Sequence, residues 1–474
     1  MMAVLLRHEL RAIGRDGRFA LLALALFLLL AGTVMQSVIA QRRLADEQRA
    51  AAAETRAQWD HQGGKHPHRG AHFGLYAFRP QGALAMIDPG LQAQLGQALW
   101  LEPHKRSPAR SRPVADEPPA TRLGTLTPAF ALTVLLPLLV IALCAPSVSA
   151  DRARGTLRLL RGAGLRVPHW LAAKLLAVLI AVLLPVLGAL AAGLAVGGAA
   201  LTPGLWWRLL TLAAAIGLYV GAVAAIALAV SAWAGDTRKA LALLVGLWAA
   251  AVLVVPRLAA AGAHAAIDVP AAGAFAAAIQ HDIHHGLPGD GDLASRGRAV
   301  DAGLLRAHGV ARIEDLPLGV SAARRLARDA YADKVHALHF DALWARYHRQ
   351  ARWVRAASLL SPAIALRSLS MAMAGTDLRH QQHFEQAAET YRQQVNTAID
   401  QWDRQHTRGL RSFEEKYADD ALWQAIPGFA YVSPGAGFAW RGAWPDAAVL
   451  GLWLLGGLAL LAWAGRGLVR EGRS

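Results

Sequence analysis

The sequence is most informative in what it lacks. It holds one cysteine, Cys144, in 474 residues. No intrachain disulfide is available, so any part outside a membrane must be held by packing alone. There is no Gly-x-x-x-x-Gly-Lys-Ser/Thr loop, so the chain does not hydrolyse ATP through a phosphate loop of its own. No Gly-x-Gly-x-x-Gly opens a strand–helix unit, and neither a Gly-x-Ser-x-Gly elbow nor a His-Glu-x-x-His pair occurs. These absences exclude the common nucleotide, hydrolase and zinc-protease chemistries and imply neither cofactor nor catalytic residue. Strand signals are weak throughout, which leaves helix as the main element.

What is present is apolar and basic. Hydrophobic residues make up 55% of the chain and charged ones 17%, the balance of a polytopic membrane protein with sizeable soluble parts. The net charge is +16. Nucleic acid is not implied, because no recognition motif accompanies the charge and several arginines border apolar runs.

A spanning helix needs about 20 apolar residues. Residues 19–40, 129–149, 171–200, 209–233, 240–262 and 447–465 meet that length, and none contains Asp or Glu. Ion-coupled transporters generally place an acid within the membrane, so an external energy source is the simpler expectation. Lys174, Arg208 and Arg257 fall near span ends, where they can snorkel. Trp170, Trp206, Trp207, Trp440 and Trp444 fit an aromatic belt. The first run is longer than a signal-peptide core and lacks a good cleavage site, which favours a retained anchor.

Short loops set the orientation. Arg7, Arg11, Arg15 and Arg18 precede span one, Arg238 and Lys239 follow span four, and Arg466, Arg470 and Arg473 follow span six. The short loop around 201–207 carries no basic residue. The positive-inside rule then places both termini in the cytoplasm, 1–18 as an amphipathic helix and 466–474 as a tail. Residues 41–128 and 263–445 become two extracytoplasmic inserts, expected to pack into one mainly helical domain. The fold class is an all-α polytopic membrane protein with six transmembrane helices.

Within the inserts, 42–59 should continue span one as helix, and Asp88-Pro89-Gly90 should turn. The Pro-, Ser- and Arg-rich stretch 106–120 reads as mobile. Apolar residues at helical spacing predict helices from Tyr331 to Ala345 and from Phe384 to Trp402, the second capped at Thr376-Asp377 and ended by Gly409. Between them, 356–374 is apolar but contains Pro362 and Arg367; it is a poor span, better read as buried in the domain or lying on the membrane surface.

The stretch 150–170 between spans two and three is the most distinctive. Arg152, Arg154, Arg158, Arg161 and Arg166 stand against one acid, Asp151. A plain positive-inside determinant explains the arginines. It does not explain Gly155-Thr156 or the apolar Leu157, Leu160 and Leu165. A short helix ended by Gly162-Ala163-Gly164 would present Asp151, Arg152, Arg154, Gly155, Thr156, Leu157, Arg158 and Leu160 to a groove on a partner.

Histidine offers a second candidate. His61, His66, His68 and His72 cluster in the first insert; His281, His284 and His285 lie together in the second; His380 and His383 start a helix. Helical spacing lets such residues share a metal. Without Cys or placed acids, the plainer reading is surface histidine, with His66 and His68 bracing a loop, and no metal is assigned.

The motifs resemble a known family. Asp151-Arg152-Ala153-Arg154-Gly155-Thr156-Leu157-Arg158 is similar to the Glu-Arg-Glu-Arg-Gly-Thr-Leu-Arg loop of type-two ABC exporter permeases, in the branch grouped with multicopper-enzyme-maturation permeases, which carries two large extracytoplasmic inserts. Ala153 departs from the usual acid. His66-Pro67-His68, the run from Ala71 to Pro80, Trp100 to Lys105, Leu126 to Phe130, Leu360-Ser361-Pro362 and Ala374 to Asp377 also match. The resemblance implies a non-catalytic permease subunit of the bacterial inner membrane. It also implies a cytoplasmic ATP-binding subunit and a second permease subunit, identical or different, as partners; the inserts read as a lid or docking domain for cargo or a periplasmic partner. Two rivals stand beside it: a membrane-anchored metal-handling protein built on the histidines, and a scaffold that transports nothing.

Overall fold

The computed structural model describes residues 2–107, 126–410 and 415–470. Most of the stretch 106–120, and Arg473 of the tail, lie outside them. The described chain is almost wholly helical. Six helices are long and apolar enough to cross a membrane: Phe19–Asp60, Pro128–Ala153, Val167–Gly197, Pro203–Ala234, Thr237–Ala266 and Ala436–Arg470. Each contains, or ends within a few residues of, a predicted span. Span three stops at Gly197 because Gly198 takes a left-handed φ of 71°. Span four starts where Thr202 accepts the Leu205 N–H at 3.2 Å and Pro203 supplies the first turn.

Spans two and four form the centre. Val140, Cys144 and Val148 pack in one core with Ile216, Tyr219 and Leu228. Span six approaches span four closely at Gly457, where a Cβ would lie 3.1 Å from the Ala222 carbonyl oxygen. Spans two and five each widen into a π turn, at Ala131–Leu135 and Ala249–Val254. Tyr219 donates from its hydroxyl to the Thr133 carbonyl (2.8 Å), and Trp248 from its indole to that of Val134 (3.0 Å). Both carbonyls belong to the widened turn of span two, where the regular ladder is interrupted.

Four sequence expectations change here. Trp170 is not a belt residue; it is fully buried, with the Lys174 ammonium 4.7 Å from its ring centre. Lys174 does not snorkel; it turns inward and pairs with Glu9 and Asp151. Arg208 likewise donates to the carbonyls of Met373 and Pro434. The sixth helix also begins earlier than expected and so includes an acid. Asp446 is fully buried and paired with Arg355 at 2.8 Å.

The first helix runs on to Asp60, as the alanine-rich sequence implied, and ends at Trp59 in a second core. There Trp59 meets Trp423 edge to face, with ring centres 6.1 Å apart, and donates to the Trp423 carbonyl at 3.0 Å. Leu75, Leu99, Phe384 and Ile399 complete that core, so the two inserts fold together. A small antiparallel hairpin, β1 (Leu75–Phe78) with β2 (Ala98–Leu101), is the sheet among the described residues; four-residue strands left too short an alternation to read.

In the second insert the two predicted helices are Val320–Ala356 and Leu378–His406. Asp377 caps the latter by accepting the His380 N–H. The ambiguous stretch 356–374 resolves into a buried helix, Pro362–Ala374, whose Ala365, Leu369 and Met373 belong to the same core as the spans. The Asp88-Pro89-Gly90 turn docks on it: Arg367 pairs with Asp88 at 3.1 Å, and Thr376 donates to the Asp88 carbonyl.

Candidate functional site

Span two ends at Ala153, and Gly155 reverses the chain with a φ of 74°. A Cβ there would meet nothing, so glycine is required for backbone conformation, not for space. Thr156–Gly162 is then a seven-residue helix. Gly164, at φ 85°, turns it into span three, which opens at Val167-Pro168. The predicted elbow is therefore a short helix hung between two spans.

Its side chains divide into two sets. One set ties the elbow to the bundle. Asp151 pairs with Lys174 of span three at 3.1 Å, and Lys174 pairs with Glu9 of the N-terminal helix Met2–Arg15, also at 3.1 Å. Arg152 donates to the Ala232 carbonyl at the end of span four (2.6 Å). Arg161 donates to the carbonyls of Leu468 and Val469 at the end of span six (3.0 and 3.1 Å). Leu157 is 6% exposed and sits in the bundle core. Basic groups at helix C-termini are well placed electrostatically. The other set faces outward: Arg154, Arg158 and Leu159, the last 77% exposed. Gly155, Thr156 and Leu160 are half-buried.

Sequence reasoning singled out this segment without the inward or outward direction of its side chains. It passed over Leu159, the exposed apolar residue, and offered Leu157 to a partner although that side chain packs inward. It also missed Glu9, Lys174 and Arg161 as anchors. A lysine four residues into an apolar run was the available signal for Lys174.

The histidines also separate. His61 is exposed near Asp420. His66 caps the helix Pro67–Ala71 by accepting the His68 N–H, and its Nε2 meets the Tyr417 hydroxyl at 3.1 Å. His285 hydrogen-bonds the His281 carbonyl, and their rings stack at 4.3 Å. His380 pairs with Asp377, and His383 with the Tyr431 hydroxyl. Among the described residues, one group of three or more potential ligands converges within 4.8 Å: His68, His72 and His104. Burial, with Arg325 beside it, depresses the His68 pKa to about 2; burial and the neighbouring His104 lower that of His72. Both rings are therefore neutral near pH 7.

Six apolar helices with an arginine-bearing elbow and a compact helical insert domain define an all-α polytopic membrane protein. The chain belongs to the ABC-2 transporter family: the model described as "ABC-2 family transporter protein" matches residues 3–336. A second model, a domain of unknown function (DUF3526), matches residues 273–432 and so covers most of the second insert. No curated protein matches the chain. Family membership makes it a membrane permease component of an ABC transporter, which implies an ATP-binding partner.

Proposed function

We propose that this chain is the permease subunit of an ATP-driven exporter or extractor, in the branch with two large extracytoplasmic inserts associated with multicopper-enzyme maturation. A separate cytoplasmic ATP-binding subunit hydrolyses the nucleotide. A second permease subunit completes the pore. The protein lies in a bacterial inner membrane, with both termini and the elbow in the cytoplasm and the insert domain in the periplasm. Helix Thr156–Gly162 is the coupling helix.

One observation carries this reading: the elbow leaves Arg154, Arg158 and Leu159 exposed while its other side chains grip spans three, four and six, with the N-terminal helix joined to it through Lys174 of span three. A push on the outer face is thereby delivered to three spans at once, and through Lys174 to the N-terminal helix. The arginine distribution supports the sidedness.

The test uses the chain co-expressed with its ATP-binding subunit. Leu159→Asp with Arg158→Glu should abolish co-purification and transporter-dependent ATPase activity while membrane yield stays the same. Unchanged coupling sinks the assignment of the helix. Labelling of a cysteine at 159 by an impermeant reagent in intact cells would sink the orientation.

A further inference from the structure

We propose that His68, His72 and His104 form a three-histidine Zn2+ site in the insert domain, oriented by Asp329. The site does not depend on the coupling assignment above.

Three elements build it. His68 lies on the short helix Pro67–Ala71 and His72 caps its end, so both rings leave one helical turn on the same side. His104 follows β2 in a tight turn closed by the Glu102–Lys105 bridge, with a φ of 63°. It is the one non-glycine residue with a left-handed φ among the described residues. That conformation is disfavoured for a histidine and marks a position held by its surroundings. Asp329 comes from the helix Val320–Ala356 of the other insert. Its Oδ1 accepts from His104 Nδ1, while its Oδ2 is buried without a hydrogen-bond partner.

The nitrogens face one another. His68 Nε2 stands 3.2 Å from His72 Nε2 and 3.2 Å from His104 Nε2. Metal–nitrogen bonds of about 2.0–2.1 Å place tetrahedral ligand atoms about 3.3–3.4 Å apart, so two of the three edges are already at the right length. His72 is exposed and free to close the third.

Proton counting makes the cluster a poor hydrogen-bond set. With Asp329 accepting from Nδ1, the neutral form of His104 carries its lone pair on Nε2. If His68 Nε2 carries a proton, that one proton serves two neighbours. If it does not, two lone pairs meet at 3.2 Å. A cation accepting all three lone pairs removes the conflict, with every ring protonated on Nδ1. Arg325, the nearby cation, is itself neutralised by Asp400 at 2.9 Å and by Asp403.

The donor set names the ion class. Three imidazoles without thiolate suit Zn2+ or Cu2+, and near-tetrahedral edges favour Zn2+ over the tetragonal preference of Cu2+. With His72 at the surface, a fourth position opens to solvent, the pattern of a site that takes water or a passing ligand.

The test titrates Zn2+ into the full-length, tag-free, chelator-treated protein in detergent by calorimetry, with the thermal midpoint followed in parallel. The expected result is one Zn2+ per chain and a midpoint that rises with Zn2+. His72→Ala, at an exposed position, should weaken binding more than about a hundredfold and remove the rise while leaving the metal-free midpoint unchanged. Asp329→Asn should weaken binding by about ten- to a hundredfold. His281→Ala with His285→Ala should change nothing. Absence of Zn2+ binding, an undiminished rise in His72→Ala, or binding of Cu2+ in place of Zn2+ would each overturn the proposal.

Discussion

The Lys174 ammonium lies 3.1 Å from an Asp151 carboxylate oxygen, joining the start of the elbow to the second turn of span three. The same ammonium reaches Glu9 at 3.1 Å, so one buried cation links the N-terminal helix, span two and span three. Lys174 is 5% exposed. Removing one member of a buried ion network leaves its partners desolvated and uncompensated, at a cost of about 3–5 kcal/mol. Lys174→Met should therefore lower the thermal midpoint of the detergent-solubilised protein sharply. Adding Glu9→Gln should restore part of the loss, because it removes one of the two stranded carboxylates. A single variant as stable as the parent would show that the three helices are held by apolar packing alone.

His336 supplies a pH dependence in the insert domain. It is buried, and its pKa is lowered from 6.5 to about 4 by burial, with Arg392 and Arg106 adding to the effect against Glu389. Above pH 6.5 the ring is neutral both folded and unfolded and contributes no slope. Between pH 6.5 and 4 the unfolded chain takes up the proton and the folded one does not, so stability falls with acidification. The full difference is worth about 3 kcal/mol and is reached below pH 4. His336→Gln should flatten this part of the stability–pH curve, read as the difference between parent and variant midpoints from pH 7 to 4. Parallel curves would contradict it.

The π turn of span two depends on donors from other spans. Trp248→Phe removes the indole N–H that serves the Val134 carbonyl across the bundle. An apolar interior offers no water as replacement, so the loss should be about 1–3 kcal/mol. Tyr219→Phe should act similarly on the Thr133 carbonyl. Thermal unfolding in detergent measures both, with Trp233→Phe, at an exposed position, as the unaffected comparison.

The spans were legible because a membrane imposes a length that few other constraints produce, and 42–59 and the helices around Tyr331 and Phe384 because their periodicity is sustained. Phase and long-range pairing were not. Seven residues of helix do not reveal which leucine points inward, so Leu157 was read as outward although it is buried, and the exposed Leu159 was passed over. Trp170 and Lys174 lie at a span end, where sequence alone favours the interface, yet each has a partner that only the fold supplies. The helix Pro362–Ala374 is apolar for burial in the bundle, which hydropathy does not distinguish from membrane contact. His104 stood 32 residues beyond His72 with no spacing to link them, and Asp329 farther still. Their convergence is a product of the two inserts sharing one core.

That shared core places a further constraint on Gly70, which lies between His68 and His72. A Cβ on residue 70 would stand 2.2 Å from Trp423 Cη2 and 2.7 Å from two further ring atoms. Trp423 is fully buried, meets Trp59 at its edge and donates to the Gly63 carbonyl at 3.2 Å, so its ring has little freedom to retreat. Overpacking of this kind costs about 1–3 kcal/mol. Gly70→Ala should lower the thermal midpoint and, by displacing the turn that carries both rings, weaken Zn2+ binding as well. Gly64→Ala is the matched comparison, since its Cβ would come no closer than 3.8 Å to the Ala418 carbonyl oxygen. If the two variants behaved alike, Trp423 would not be the element that fixes the histidine-bearing turn against the second insert.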